Sequence, residues 1–147
     1  GEDFVTVSAL GASLVDKAIG EAGDVDTAAV QMQTASGKIC VITNSRRASY
    51  GYDQRIEVHG SKGMLRAGNV HNTTVELATA EGFREDPILH FFTERYGQAY
   101  ANEVLSFIDA VTNGSPISPN GIDGLKAQQL ADAATESWKT GKPVKVA

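Results

Sequence analysis

An α+β fold is what this sequence predicts: an open, mainly antiparallel β-sheet with two long C-terminal helices packed on one face. Three observations predict it. Strand-like runs broken by glycine-containing turns fill the first two-thirds of the chain. Apolar residues recur at spacings of three and four through the last third. Strands come first and helices after, the order of a domain whose helices gather on one side of a sheet.

Taken in order, Phe4 to Leu10 interleaves Phe4, Val5, Val7 and Ala9 with Thr6 and Ser8, and a glycine-rich stretch from Gly20 to Asp24 follows. Thr27 to Thr34 and Lys38 to Thr43 flank Ala35-Ser36-Gly37, the pattern of a β-hairpin. Arg55 to His59 and Met64 to Ala67 flank Gly60-Ser61-Lys62-Gly63, a second hairpin signal, and Thr73 to Ala78 is a further strand. Together these suggest a meander of about six strands. Phe92, Tyr96, Tyr100, Val104, Phe107, Ile108 and Val111 form one stripe of a long amphipathic helix, stopped by Asn113-Gly114 with Pro116 beyond. A second helix is expected from about Asp123 to Thr140, ended by Gly141 and Pro143, with a short edge strand after it. Lys38-Ile39-Cys40-Val41-Ile42 is apolar at successive positions, so both faces of that strand ask for cover. The helices can cover one. A second subunit is the economical cover for the other, and a connecting loop is the alternative.

The length of 147 residues suits a single domain over 1–147, and 41% apolar with 21% charged residues is ordinary globular usage. A net charge of −5, with no basic run longer than Arg46-Arg47, argues against nucleic acid as a partner. No apolar run approaches the roughly 20 residues of a membrane helix. The one cysteine, Cys40, cannot close an internal disulfide and suits a reducing, cytoplasmic setting. Its apolar neighbours suggest a buried, inert thiol. Gly1 to Val5 enters a strand pattern at once, so the chain is expected to begin at a cut inside a longer polypeptide.

His59, His71 and His90 are too far apart in sequence for a local metal site, and no cysteine pair exists, so no metal is expected. No Gly-x-Ser-x-Gly elbow, Gly-x-Gly-x-x-Gly turn or Walker loop is present. This segment is therefore not expected to bind a dinucleotide by itself. The unusual stretch is Asn44 to Arg55, a dense polar and aromatic block between two strands. Asn44, Tyr52, Asp53, Gln54 and Arg55 can all bond hydroxyl groups, and aromatic faces can stack on a ring. That mix fits a polyol or sugar. The alternative is a polar crossover whose Arg and Asp pair with each other.

The run from Ser45 to Met64, with Tyr50-Gly51-Tyr52-Asp53-Gln54-Arg55 and Gly60-Ser61-Lys62-Gly63 inside it, resembles the corresponding block of bacterial inositol 2-dehydrogenases. These enzymes belong to the glucose-fructose oxidoreductase-like (Gfo/Idh/MocA) superfamily. His90-Phe91-Phe92 through Glu94-Arg95-Tyr96, Ala99-Tyr100 and Glu103 is similar too, as is Gly124-Leu125 through Gly141-Lys142-Pro143-Val144. The resemblance spans essentially the whole chain. The tyrosine block is fairly specific to the inositol branch, whereas the Gly-Ser-Lys-Gly turn is common across the superfamily.

The resemblance implies the C-terminal domain, of the glyceraldehyde-3-phosphate dehydrogenase-like type, of an enzyme that oxidises myo-inositol to 2-keto-myo-inositol with NAD. In such enzymes an N-terminal Rossmann domain binds NAD or NADP and carries the catalytic Lys. The catalytic Asp and His lie on a helix that would end just before Gly1. The exposed sheet face makes a homo-oligomer, a dimer or tetramer. Family members bring the positions of Tyr52 and Tyr100 towards the substrate, with Asp53 and Arg55 as further candidate substrate-binding residues. For Tyr100 a core role is the alternative, and for Asp53 and Arg55 the alternative is bracing of the turn. Arg95 would reach the pocket or pair on the surface, and His90 would pack or cap the helix start. Removing a hydroxyl proton as hydride leaves needs a base and a held cofactor. With both outside the chain, the isolated chain is expected to be inactive. Two alternatives stand beside this one: another sugar or polyol oxidoreductase of the superfamily, and a non-catalytic oligomerisation or ligand-binding module.

Overall fold

The computed structural model describes residues 1–146. In chain order the elements are β1 (Phe4–Ala12), α1 (Lys17–Glu21), β2 (Thr27–Thr34), β3 (Ile39–Ser45), β4 (Ile56–Gly60), β5 (Gly63–Ala67), β6 (Glu76–Thr79), β7 (Gly82–Glu85), α2 (Phe92–Arg95), α3 (Gly97–Asn113), α4 (Gly121–Thr140) and β8 (Val144–Lys145). This is an α+β chain in which every strand pair is antiparallel. Contacts divide it into two compact units: Gly1–Arg47 with the segment from Ser118 onward, and Ala48–Ile117.

The first unit is a four-stranded sheet in the order β3-β2-β1-β8. Pairing fixes which residues share a face, because directly opposed residues point the same way. Val7 stands opposite Met32 on one side and Val144 on the other, and Met32 stands opposite Cys40. That row, with Ala133 from α4, makes the core, and Phe4, Val30, Leu130, Ala134 and Val146 pack around it. Cys40 packs against this cluster as a free thiol. The opposite face carries the rows Ser8–Gln31–Val41 and Leu10–Ala29–Thr43. It is open: Ile39 is 72% and Val41 57% exposed. The consecutive apolar residues of β3 therefore have cover on one side only.

β8 pairs with β1 only at Thr6 and Val7, leaving the next inward-bonding amide of that edge, Ala9, without a strand partner. The Ser137 hydroxyl of α4 takes its place, accepting from the Ala9 N–H at 2.9 Å, and Ser137 is only 2% exposed. A serine in the last turn of a helix is thereby a splice between helix and sheet. Ser137→Ala should cost about 1–3 kcal/mol, because it strands a buried donor. Urea denaturation followed by the single tryptophan, Trp138, one residue further along the same helix, measures it.

α4 starts two residues earlier than its apolar stripe implied. Asn120 and Asp123 form a reciprocal capping box, with Ile122 N–H donating to Asn120 Oδ1 and Asn120 N–H to Asp123 Oδ2, both at 2.8 Å. Gly141 closes the helix in the left-handed conformation (φ 65°).

In the second unit the strands pair as two hairpins, β4–β5 and β6–β7, not as a continuation of the meander. The polar block after β3 breaks the hydrogen-bond ladder, and each later pair closes locally through its own turn. β6 overlaps the end of the strand expected over Thr73 to Ala78, whereas β7 and the short α1 carry too little apolar alternation to stand out in the sequence. The expected helix from Phe92 is in two pieces, interrupted at Tyr96 (φ −107°, ψ 7°). No helix among the described residues is long and apolar enough to cross a membrane.

Candidate functional site

The polar block lies between β3 and β4, and from Ala48 onward it belongs to the second unit. Its turn is pinned at Gly51 and Tyr52. Tyr52 N–H donates to the Leu89 carbonyl at 2.9 Å, and Leu89 N–H donates to the Val70 carbonyl at 2.8 Å. Three extended pieces of chain are thus laid side by side, reinforced by a bridge between His71 and Ile88. Gly51 has a φ of 134° and lies so close to Ile88 that a side chain would collide with it.

Asp53 is the hub of the turn. Its Oδ1 accepts from Arg55 Nε at 2.7 Å and from Asn69 Nδ2 at 2.9 Å, and its Oδ2 accepts from Arg55 Nη2 at 2.8 Å and from the Tyr50 hydroxyl. Asn69 also accepts from Gln54 N–H at 2.8 Å, so one amide side chain ties both residues after Tyr52 to the segment that follows β5. The Arg55 guanidinium first, then the Tyr50 hydroxyl and Asn69, hold the Asp53 carboxyl well below the usual carboxylate range. The same carboxylate raises the Tyr50 phenol and the Arg55 guanidinium above theirs. A carboxylate so fully engaged is a poor proton acceptor. For Asp53 and Arg55 the geometry is that of bracing.

The tyrosines are arranged differently. The Tyr52 and Tyr96 rings meet edge to face, 5.6 Å between centroids at 84°, and Tyr96 and Tyr100 meet likewise at 6.3 Å and 79°. Tyr52 and Tyr100, distant in sequence, therefore stand at the two ends of one aromatic ladder. Tyr100 is 48% exposed, which is not the environment of a core tyrosine. Tyr96 is half-buried and sits in the helix break, where its N–H donates to Phe92 O at 2.8 Å and its carbonyl accepts from Tyr100 N–H at 2.9 Å. Arg95 lies over its ring, 5.7 Å from the centroid. Neither Tyr96 nor Asn69 stood out in the sequence as part of a site. Tyr96 reads as one more residue of an apolar stripe, and the Asn69 contacts cross a gap of about fifteen residues. The His90 backbone N–H donates to the Glu94 carboxylate at 2.9 Å at the start of α2.

Phenol hydroxyls and aromatic edges on a braced turn can bond and orient a hydroxylated ring. The described residues offer no cluster of three or more His, Cys, Asp or Glu that could hold a metal ion. Gly37, Gly63 and Gly82 serve hairpin turns, and Gly114 and Gly141 end helices. A surface cleft of about 380 Å³, lined by Asn69, Val70, His71 and Thr73 to Glu76, shares only Asn69 with the tyrosine and carboxylate cluster.

Comparison with known proteins gives a consistent picture. Residues 1–146 match the model of the oxidoreductase family, C-terminal alpha/beta domain (Gfo/Idh/MocA). The chain is 53% identical over its whole length to an inositol 2-dehydrogenase of Rhizobium meliloti, of which it covers 44%. Among solved structures, a myo-inositol dehydrogenase from Corynebacterium glutamicum superposes with a TM-score of 0.92 at 43% identity, over 99% of this chain and 44% of that one. A scyllo-inositol dehydrogenase from Lactobacillus casei, solved with NAD(H) and scyllo-inositol bound, superposes at 0.88 with 28% identity, over 99% of this chain and 43% of that one. The chain thus spans less than half the length of the relatives it matches.

Proposed function

The chain belongs to the Gfo/Idh/MocA oxidoreductase family as its C-terminal alpha/beta domain, and from that premise we propose that it is the substrate-side part of an NAD-dependent inositol 2-dehydrogenase. Its two units together act as the C-terminal substrate and oligomerisation domain. The observation that carries this reading is the ladder of Tyr52, Tyr96 and Tyr100 beside a turn held by Asp53. Tyr52 and Tyr100 bond the polyol. Asp53 and Arg55 act mainly by holding Tyr52 in place.

Hydride transfer itself is assigned to the rest of the enzyme. Oxidation of a ring carbinol needs a base for the hydroxyl proton and a cofactor held against the reacting carbon. Asp53, the carboxylate of the braced turn, is engaged by Arg55, Asn69 and Tyr50 and is a poor base. The chain on its own should therefore not reduce NAD in the presence of myo-inositol. The open face of the four-stranded sheet, with Ile39, Val41 and Leu10 exposed on it, is the surface on which copies of the enzyme associate. The work of this polypeptide is in the cytoplasm.

The test is Tyr52→Phe in the full-length enzyme. Loss of one neutral hydrogen bond should lower kcat/KM for myo-inositol by about 0.5–1.5 kcal/mol, roughly 2- to 12-fold, with an unchanged melting temperature. A wild-type value would remove Tyr52 from the substrate contacts. Profiling kcat/KM over myo-inositol, scyllo-inositol and aldoses separates the inositol reading from a sugar dehydrogenase on the same scaffold.

A further inference from the structure

A phenol hydroxyl keeps its proton near the plane of the ring, so the direction in which a tyrosine offers its proton follows the orientation of its ring. If Tyr52 is to present that proton, or a lone pair, to one particular polyol hydroxyl, something has to fix its direction. We propose that Tyr96 is a positioning residue that sets the orientation of the Tyr52 ring, with Arg95 holding the Tyr96 ring. This rests on the reading of Tyr52 as a polyol contact.

Four observations on this part of the chain support it. The Tyr52 and Tyr96 rings are nearly perpendicular at 5.6 Å, an arrangement that limits the tilt of either. Tyr96 occupies the break between α2 and α3, where both its backbone groups are bonded, to Phe92 and to Tyr100. Its ring is thus carried on an anchored piece of backbone and not on a mobile loop. The Arg95 guanidinium lies 5.7 Å from the Tyr96 centroid, and Arg95 Nε is buried with no hydrogen-bond partner among the described residues. A buried, unpaired donor is uncommon, and here the guanidinium has an aromatic ring as its neighbour. Finally, the Tyr52 hydroxyl first, and partial burial second, raise the Tyr96 phenol above its ordinary range, while the Arg95 charge pulls the other way. Tyr96 therefore keeps its proton at neutral pH.

The experiment is a double-mutant cycle in the full-length enzyme: Tyr52→Phe, Tyr96→Leu and the double variant, with kcat/KM for myo-inositol and melting temperature measured for each. Tyr96→Leu removes the ring edge that meets Tyr52, and Tyr96→Phe, which keeps that edge, is its control. Tyr96→Leu should lower kcat/KM by about 3- to 10-fold, while Tyr96→Phe stays close to wild type. In the Tyr52→Phe background Tyr96→Leu should cost almost nothing more, since its effect passes through a hydroxyl that is already gone. Arg95→Lys, which loses the flat guanidinium, should show the same dependence on Tyr52 in a smaller measure. Equal losses from Tyr96→Leu in both backgrounds, or no loss from Tyr96→Leu where Tyr52→Phe does lose activity, would overturn the positioning role and leave Tyr52 as a contact. No loss from Tyr52→Phe would overturn the substrate reading, and the positioning role with it.

Discussion

Gly51→Ala is expected to undo the turn that carries Tyr52, at a cost of about 2–5 kcal/mol. Two separate penalties add at this position. Its φ of 134° is a conformation that side-chain-bearing residues rarely adopt, and the new Cβ would stand 2.4 Å from Ile88 Cγ1 and 3.1 Å from the Leu89 carbonyl oxygen. The strand cannot back away cheaply, because Leu89 O is the acceptor of Tyr52 N–H and Leu89 N–H is committed to Val70. Gly63, in the β4–β5 turn, separates the two penalties. Its φ of 145° is equally demanding, yet nothing lies within 4 Å of a built Cβ. Gly63→Ala should therefore show the backbone term alone, about 1–3 kcal/mol. Hydrogen exchange at the Tyr52 and Leu89 amides measures the difference. Protection should collapse in Gly51→Ala and persist in Gly63→Ala. Equal protection in the two variants would mean that Ile88 yields and that close packing does not hold the turn.

What could be read from the sequence follows a physical division between local and long-range signals. β1, β2, β3, β4, β5 and α4 announce themselves through alternation, turn glycines and a helix stop, all of which act within a few residues. The tyrosine block is visible because aromatic and polar residues crowd between two strands. The signals that failed are those requiring a distant partner. Tyr96 fits an unbroken helical stripe, and only the structure reveals the break and the ring on either side. Asn69 looks like one more loop asparagine until its amide is seen to hold Asp53 and Gln54. The split of the strands into a four-stranded sheet and separate hairpins was hidden for the same reason, since alternation tells that a strand exists and not which edge it pairs with.

Asp26 is the strongest case of a hidden partner set, and it leads to the second large effect. In sequence it is one acid among Asp24-Val25-Asp26-Thr27, with nothing to separate it from a solvated loop residue. In the structure it is 6% exposed, and its carboxylate accepts the backbone N–H groups of Leu14, Val15 and Asp16, each at 2.8 Å, with the Thr27 hydroxyl at 2.9 Å. These bonds close the connection from β1 through α1 back to β2. Burial on its own would raise the carboxyl pKa, but the three amide donors and Thr27 outweigh it and hold the group well below its ordinary range. A folded-state pKa below the unfolded one means stability that is fully present above about pH 4 and is lost as the pH falls through that value towards the lower, folded-state one. Asp26→Asn keeps the size but offers a single neutral acceptor where two charged ones stood, and it brings donors that face other donors. At pH 7 its melting temperature, followed by Trp138 fluorescence, should fall by about 5–10 °C. Between about pH 5 and pH 2, a span that brackets the free carboxyl value, the melting temperature should change less with pH in the variant than in the wild-type chain, because the group whose protonation unfolds that connection is gone. A variant that melts at the wild-type temperature, or that keeps the full acid sensitivity, would show that other groups hold β1 to β2.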